Sequence, residues 1–346
     1  MKTKISNIDI NDIDTEQIKE QAEILREGKT VIFPTETVYG LGANALDEEA
    51  VVKIYEAKGR PSDNPLIVHI YQKEEIYDLA KNINENAHKI MDEFWPGPIT
   101  VILNKKEVVP YRTSGGLETV AIRMPSHKIA RQLIKEAGIP IAAPSANISG
   151  RPSPTKAEHV HEEMDGRVSG MILGGNSDFG LESTVVDLTQ EIPMILRPGS
   201  ITKEQLEGIV GKVNVDPALL RKEDNKIAKA PGMKYKHYAP NADVYIVSGE
   251  NKDVIERINE LVAINNNKGL KTGVMCLDQN KNEYNGTVIT LGSSLEEVGM
   301  NLFDVLRIMD KNQVDIVYSE EFTNEGIGQA IMNRLLKSSG YKIIKV

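Results

Sequence analysis

The sequence predicts an α+β unit, a twisted mixed β-sheet with helices, followed by a smaller α/β unit of Rossmann-like type. Three observations carry this. The first 200 or so residues hold many short β-branched runs closed by Pro, Gly or Ser, separated by only a few helical stretches. Between about 212 and 240 the apolar periodicity breaks down. After residue 240 strand-like and helix-like runs alternate strictly.

Taken in order, Asp14 reads as the cap of a helix over 15–27, which Gly28 stops before the extended run "TVIFP". Asp47 opens a second helix, "DEEAVVKIYEAK", and the elbow "KGRPSDNP" leads from it into the strand "PLIVHI". The runs "PITVIL", "TVAIRMP", "IPIAAPSAN", "SGMILGG", "STVVDL" and "PMILRPG" read as further strands, with helical patterns near 73–94, 126–137 and 155–163. "RKEDNKIAKAPGMKYKHYAP" sets six cations against two carboxylates and has too little apolar surface to order itself, so it reads as a linker. Beyond it come strand "ADVYIVSG", helix 251–264, strand "KTGVMCL", helix 295–310, strand "VDIVYS", helix 327–338 and strand "KIIKV". The expected organisation is therefore 1–212, a basic linker 213–240, and 241–346.

Composition narrows the function classes. With 40% hydrophobic and 26% charged residues the 346-residue chain is an ordinary folded protein, and a formal charge of -9 argues against general adhesion to nucleic acid or anionic lipid. A polyanion site would have to be local. No run approaches the length of a membrane span, and the start has no apolar signal core, so a cytoplasmic protein is expected. Cys276 is the single cysteine, which excludes internal disulfides and cysteine metal clusters; it reads as a plain buried residue.

Five segments could carry chemistry. In "PTETVYGLG" small hydroxyls and glycines let backbone N–H groups approach an anion, with Thr35 and Thr37 as possible donors; a tight turn with local caps reads the same way. In the elbow, Lys58 and Arg60 flank Gly59, and on an extended backbone both would lie on one face, able to converge on a polyphosphate or simply to be solvated. Asn64 and His69 keep them company. Arg123 ends an apolar strand, where an unpaired charge is costly, so it requires a carboxylate or phosphate, from the protein or from a ligand. "APSANISGRPSPT" gathers Ser145, Asn147, Ser149, Arg151 and Ser153, hydrogen-bonding groups suited to phosphate. "GLESTVVDL" and "LRPGS" contribute Ser183 and Arg197. The chain lacks a P-loop, a kinase motif set, H-E-x-x-H, an Asp-rich metal loop and, after the first strand of its second unit, G-x-G-x-x-G.

With "PTETVYGLG", "KGRPSDNPL", "FWPGPIT", "AIRMP", "PSANISGRPSPT", "GLESTVVDL", "LRPGSIT" and "APGMKYKHYAP" in order, the chain resembles the YrdC-like threonylcarbamoyl-adenylate synthases in their long two-domain form. The paired K-x-R and S-x-N of that family are present as Lys58/Arg60 and Ser145/Asn147. The resemblance implies that L-threonine, bicarbonate and ATP, with Mg2+ on the phosphates, give L-threonylcarbamoyl-AMP, pyrophosphate and water. It implies a catalytic role for Lys58, Arg60, Ser145 and Asn147. ATP would meet Arg60, Asn64, Thr119, Ser145, Ser153, Arg197 and Tyr238, and threonine would meet Thr37, His69, Arg123, Ala143 and Ser183. No metal ligand is implied among the side chains. The product would pass to a tRNA threonylcarbamoyl transferase complex, with a weak tRNA contact as a further expectation and no membrane partner. The linker would fold over the site as a lid ending on Tyr238. Two other readings are an RNA-binding module without chemistry, disfavoured by the acidic charge, and a carbamoyl-adenylate enzyme of hydrogenase maturation, disfavoured by the missing cysteines.

Overall fold

The computed structural model describes residues 2–220 and 238–346. Its residues form two compact units. One comprises the described residues up to 149 and from 153 to 220; the other comprises 150–152 and 238–346.

The first unit is built on a 12-stranded mixed sheet. Its strands are β1 (Lys4–Asn7), β2 (Val31–Phe33), β3 (Gly40–Asn44), β4 (Ile67–His69), β5 (Ala80–Lys81), β6 (Ile99–Lys105), β7 (Thr119–Arg123), β8 (Ile141–Ala142), β9 (Gly170–Leu173), β10 (Thr184–Asp187), β11 (Met194–Arg197) and β12 (Asn214–Val215). The order is β1-β9-β2-β3-β8-β4-β7-β6-β10-β11-β12, with β5 on β6. Parallel and antiparallel pairs alternate irregularly across it, as expected for an α+β fold.

The helices form where local chemistry favours them. Asp14 accepts from the N–H groups of Glu16 and Gln17 at 3.0 and 3.1 Å and starts the helix Thr15–Arg26. Asp47 does the same for Glu48–Lys58, which Gly59 ends in the left-handed region at φ 59°. Helices Thr15–Arg26 and Lys128–Ala137 bury Ile18, Leu25, Ile129 and Leu133 against Val31, Phe33 and Ile141. A larger core containing Val68, Val101, Ile122 and Val186 lies on the other side of the central strands.

Three expectations need correction. Residues 73–94 are not one helix but a short 3-10 turn, a helix Ile76–Leu79, strand β5 and a helix Glu85–Phe94, because Ala80 and Lys81 pair with Lys105 and Asn104. The glycine-rich end of "PTETVYGLG" is strand β3 rather than turn; a Cβ on Gly42 would stand 2.6 Å from Ile141, so this close strand approach needs glycine. The first unit also runs past residue 212, since β12 pairs with β11 and a 3-10 turn follows at Pro217–Leu220.

The second unit is an open parallel sheet of five strands: β13 (Asp243–Ser248), β14 (Thr272–Cys276), β15 (Thr287–Thr290), β16 (Ile316–Glu320) and β17 (Ile343–Lys345), ordered β15-β14-β16-β13-β17. Its helices are Asn251–Asn266, Leu295–Lys311 and Ile327–Ser338, within two residues of the spans read from periodicity. Strand β15 was not expected. Cys276 is buried, and burial, reinforced by the nearby Glu320 and Asp278 carboxylates, pushes its thiol up to about 12. Among the described residues no helix is long and apolar enough to cross a membrane.

Candidate active site

The site face of the first sheet follows from strand register. His69 pairs with Arg123, Arg123 with Thr100, Thr100 with Val185, and Val185 with Arg197. Paired residues share a face, so these five lie in one row across β4, β7, β6, β10 and β11. The next register row on that face, Ile67–Ala121–Ile102, is apolar and belongs to a small separate cluster. The alternate row, Val68–Ile122–Val101–Val186, points into the main core. One face of these strands is thus committed to packing, and the other presents two arginines and a histidine above an apolar floor. Thr119 lies on the same face of β7 as Arg123, four residues away, or about 13 Å at strand rise.

Arg123 is the centre of the row. Its guanidinium is 4% exposed and lies 2.6 Å from the Glu36 carboxylate, itself 1% exposed, while Nη1 donates to Thr37 Oγ1 at 2.9 Å. Nη2 faces that carboxylate, and Nε of Arg123 makes no hydrogen bond to another described residue. A buried guanidinium with a donor left over suits a small carboxylate. Burial favours the neutral acid of Glu36, but the Arg123 charge outweighs it and holds the carboxyl below its usual range. His69 Nδ1 lies 3.1 Å from the carbonyl of Ile67, and the ring meets Phe33 edge-on with centroids 6.1 Å apart. Burial, aided by the Arg123 charge, lowers its pKa to about 3, so His69 is a neutral wall at physiological pH.

At the far end of the row, Arg197 donates from Nε to the Ser183 carbonyl and from Nη2 to Ser183 Oγ, both at 3.0 Å, and Ser183 Oγ is 2.8 Å from Thr100 Oγ1. Ser183 and Arg197, expected on different substrates, therefore touch. Gly199 permits this crossing: a Cβ there would stand 2.3 Å from the Thr184 amide nitrogen. Ser153 Oγ donates to Glu182 at 2.6 Å, next to Ser183 in sequence.

A second node forms where the helix Glu48–Lys58 meets the loop after β8. Lys58 is 1% exposed, and its ammonium donates to the carbonyls of Ser145 and Asn147, the latter at 2.6 Å, and reaches Asn147 Oδ1 at 3.4 Å. Ser145 Oγ donates to Asn147 Oδ1 at 2.6 Å, and the Ser149 N–H donates to the Lys58 carbonyl at 2.9 Å. This corrects the elbow geometry. Lys58 ends a helix and Gly59 turns left-handed, so Lys58 and Arg60 do not share a face of an extended segment; Lys58 ties the Ser145–Asn147 loop to the elbow. Arg60 is half-buried beyond the turn. Asn64 is fully buried, with neither side-chain polar atom hydrogen-bonded to another described residue, and Tyr55 fixes its backbone by donating to the Asn64 carbonyl at 3.1 Å. The nodes are joined through β8: the Ala143 N–H donates to Ile67 at 2.8 Å, and Gly40 bridges to Ser145.

Thr37, His69, Arg123, Ser183 and Arg197 thus meet at the site face, and Lys58, Ser145 and Asn147 meet in the second node. Arg151 does not: it belongs to the second unit, 3.5 Å from Asp310. Tyr238 also belongs to that unit, its ring 5.1 Å from Phe303, and most of the proposed lid lies outside the described residues. Glu36 and Thr100 escaped the sequence reading. Glu36 had left a trace as the one charge in an otherwise neutral loop; Thr100 left none.

The chain is similar to known proteins along its whole length. The family model described as "Telomere recombination", Sua5/YciO/YrdC, matches residues 23–199, and the model "Threonylcarbamoyl-AMP synthase, C-terminal domain" matches 201–340. The chain is 51% identical to a threonylcarbamoyl-AMP synthase of Pyrococcus abyssi, covering 95% of this chain and 96% of that one. It is 48% identical to one of Bacillus subtilis, with both covered completely. The crystal structure of P. abyssi Sua5 complexed with L-threonine superposes with a TM-score of 0.95 at 50% identity, covering 99% of this chain and all of that one. Escherichia coli YciO matches at a TM-score of 0.53 and 26% identity, covering 57% of this chain and 96% of that one. With both of its units matched, this chain belongs to the Sua5/YciO/YrdC family, in the long form that carries the threonylcarbamoyl-AMP synthase C-terminal domain.

Proposed function

We propose that the protein is an L-threonylcarbamoyladenylate synthase, a nucleotidyltransferase that joins L-threonine, bicarbonate and ATP into L-threonylcarbamoyl-AMP with release of pyrophosphate and water. The observation that carries this is the buried Arg123 guanidinium with its Nε donor left over, in one register row with His69 and Arg197, in a chain about half identical to curated synthases along its length.

Arg123 takes the threonine carboxylate, with Thr37, His69, Ala143 and Ser183 around the rest of the amino acid. Arg60, Asn64, Thr119, Ser145, Ser153 and Arg197 receive ATP. Lys58 and Asn147 hold the loop that presents Ser145. The threonine nitrogen gains carbon from bicarbonate to give a carbamate and lose water. A carbamate oxygen attacks the α-phosphorus, and the bond to the leaving pyrophosphate breaks. Two anions must approach each other, so the protein's share is positioning and charge neutralisation by Arg60, Arg123 and Arg197. Mg2+ enters on the triphosphate as part of that substrate. None of the polyphosphate residues is a carboxylate, which fits an ion held by phosphate oxygens and water.

The product's threonylcarbamoyl group is destined for the adenosine beside the anticodon of tRNAs reading codons that begin with A, through a transferase complex in the cytoplasm. Any direct tRNA contact is weak, given the acidic chain. The test is release of pyrophosphate from ATP in bicarbonate buffer: release that depends on L-threonine supports the assignment, and release independent of threonine, or none at all, overturns it.

A further inference from the structure

The loop between β2 and β3 carries a hydrogen-bond chain whose direction is fixed at both ends. Arg123 Nη1 lies 2.9 Å from Thr37 Oγ1 and a guanidinium can only donate, so Thr37 accepts there. At the other end Thr35 Oγ1 is 2.6 Å from the carbonyl of Val38, which can only accept, so the Thr35 proton is directed to it. The two hydroxyls are 2.9 Å apart. With the proton of Thr35 already engaged, Thr37 must be the donor of that pair. The N–H groups of Thr37 and Val38 also approach Thr35 Oγ1, at 3.2 and 3.3 Å, and pin it within the loop. Both threonines are buried, so water does not rescramble the chain.

After these bonds the Thr37 hydroxyl has no proton left to give and one lone pair left to fill. We infer that Thr35 is a positioning residue that makes Thr37 an obligate acceptor, so that the site demands a hydrogen-bond donor, the β-hydroxyl, from the amino acid it binds. The inference rests on the threonine reading above. A hydroxyl suits this place better than the substrate's amine. The acceptor stands directly against the Arg123 cation, where an ammonium would be repelled, and the amine has to stay free to take up carbon. Without Thr35 as acceptor, the Thr37 hydroxyl can turn its proton toward the ligand and the demand for a donor is relaxed.

The experiment compares L-threonine with its 3-fluoro analogue, 2-amino-3-fluorobutanoate, which is close in size but cannot donate, using pyrophosphate release in wild type, Thr35→Val and Thr35→Ser. Wild type should favour threonine in kcat/KM by at least about a hundredfold, as sites built around a substrate hydroxyl do. Thr35→Val should lower that ratio by about tenfold, the size of one hydrogen bond's discrimination, and Thr35→Ser should restore it. A ratio unchanged in Thr35→Val overturns the inference, since a merely structural loss would slow both substrates alike. Should Thr35→Val fail to fold, calorimetric titration of wild type decides: tighter binding of threonine supports the inference, and equal affinity for the two ligands overturns it. Absence of threonine-dependent release in wild type is a different outcome and removes the functional reading itself.

Discussion

Replacing Glu36 by Gln isolates what the buried ion pair contributes. The two side chains are 1% and 4% exposed and 2.6 Å apart. A solvent-exposed pair in the same geometry would be worth about 0–1 kcal/mol. Here the substitution leaves the Arg123 charge buried without its counter-ion, a situation that costs about 3–5 kcal/mol. For a unit of this size each kcal/mol moves the melting temperature by about 2–4 °C. Taking 3 kcal/mol, Glu36→Gln should lower the first unit's transition by about 6–12 °C in scanning calorimetry of the intact chain. Replacing both partners, Glu36→Met with Arg123→Met, removes the orphaned charge and should be closer to wild type than the single change. If Arg123 is the carboxylate receptor, L-threonine supplies the missing negative charge: at a hundredfold excess over its dissociation constant it contributes about 2.7 kcal/mol and recovers most of the shift. The methyl ester of threonine, which has no carboxylate charge, should not. A melting temperature within about 2 °C of wild type for Glu36→Gln, or equal rescue by acid and ester, would refute the reasoning.

Acid should act through His69 as well. Its pKa in the fold, about 3, lies below the ordinary 6.5, so the neutral ring stabilises the fold fully above pH 6.5 and that contribution is lost as pH falls toward 3. The loss is up to about 5 kcal/mol, and His69→Gln should flatten urea stability over that range; an NMR titration showing His69 protonating near 6.5 would contradict it. Lys58→Met should reduce turnover about a hundredfold by releasing the Ser145–Asn147 loop, measured as pyrophosphate release, and near wild-type turnover would remove the loop-tie role. Gly199→Ala forces a Cβ against the Thr184 backbone and should cost about 1–3 kcal/mol in urea unfolding; an unchanged midpoint would show that the Arg197–Ser183 crossing yields freely. The Cys276 thiol, buried and pushed up to about 12, should stay unreactive toward a thiol reagent at pH 8 in the native protein and react once unfolded.

What the sequence determined by itself was local or carried by ordered motifs. Asp14 and Asp47 stop being ambiguous once a helical period follows them, Gly59 ends a helix within its own turn, and the alternation after residue 240 names an open α/β unit because each element there has its own clear period. The motif order also named the family and most of the residues that gather on the site face. Tertiary structure alone decided how those residues meet. The row His69–Arg123–Thr100–Val185–Arg197 exists only through strand register between segments far apart in the chain, and no spacing encodes it. The glycine-rich β3 looks like a turn because its stability comes from pairing with β2 and β8 rather than from its own side chains. Lys58 looks like a free surface cation until the carbonyls of Ser145 and Asn147 are folded onto it. Glu36 becomes the counter-ion of Arg123 only after the β2–β3 loop closes over the end of β7: a charge pair is set by distance in space, and the chain fixes that distance only by folding.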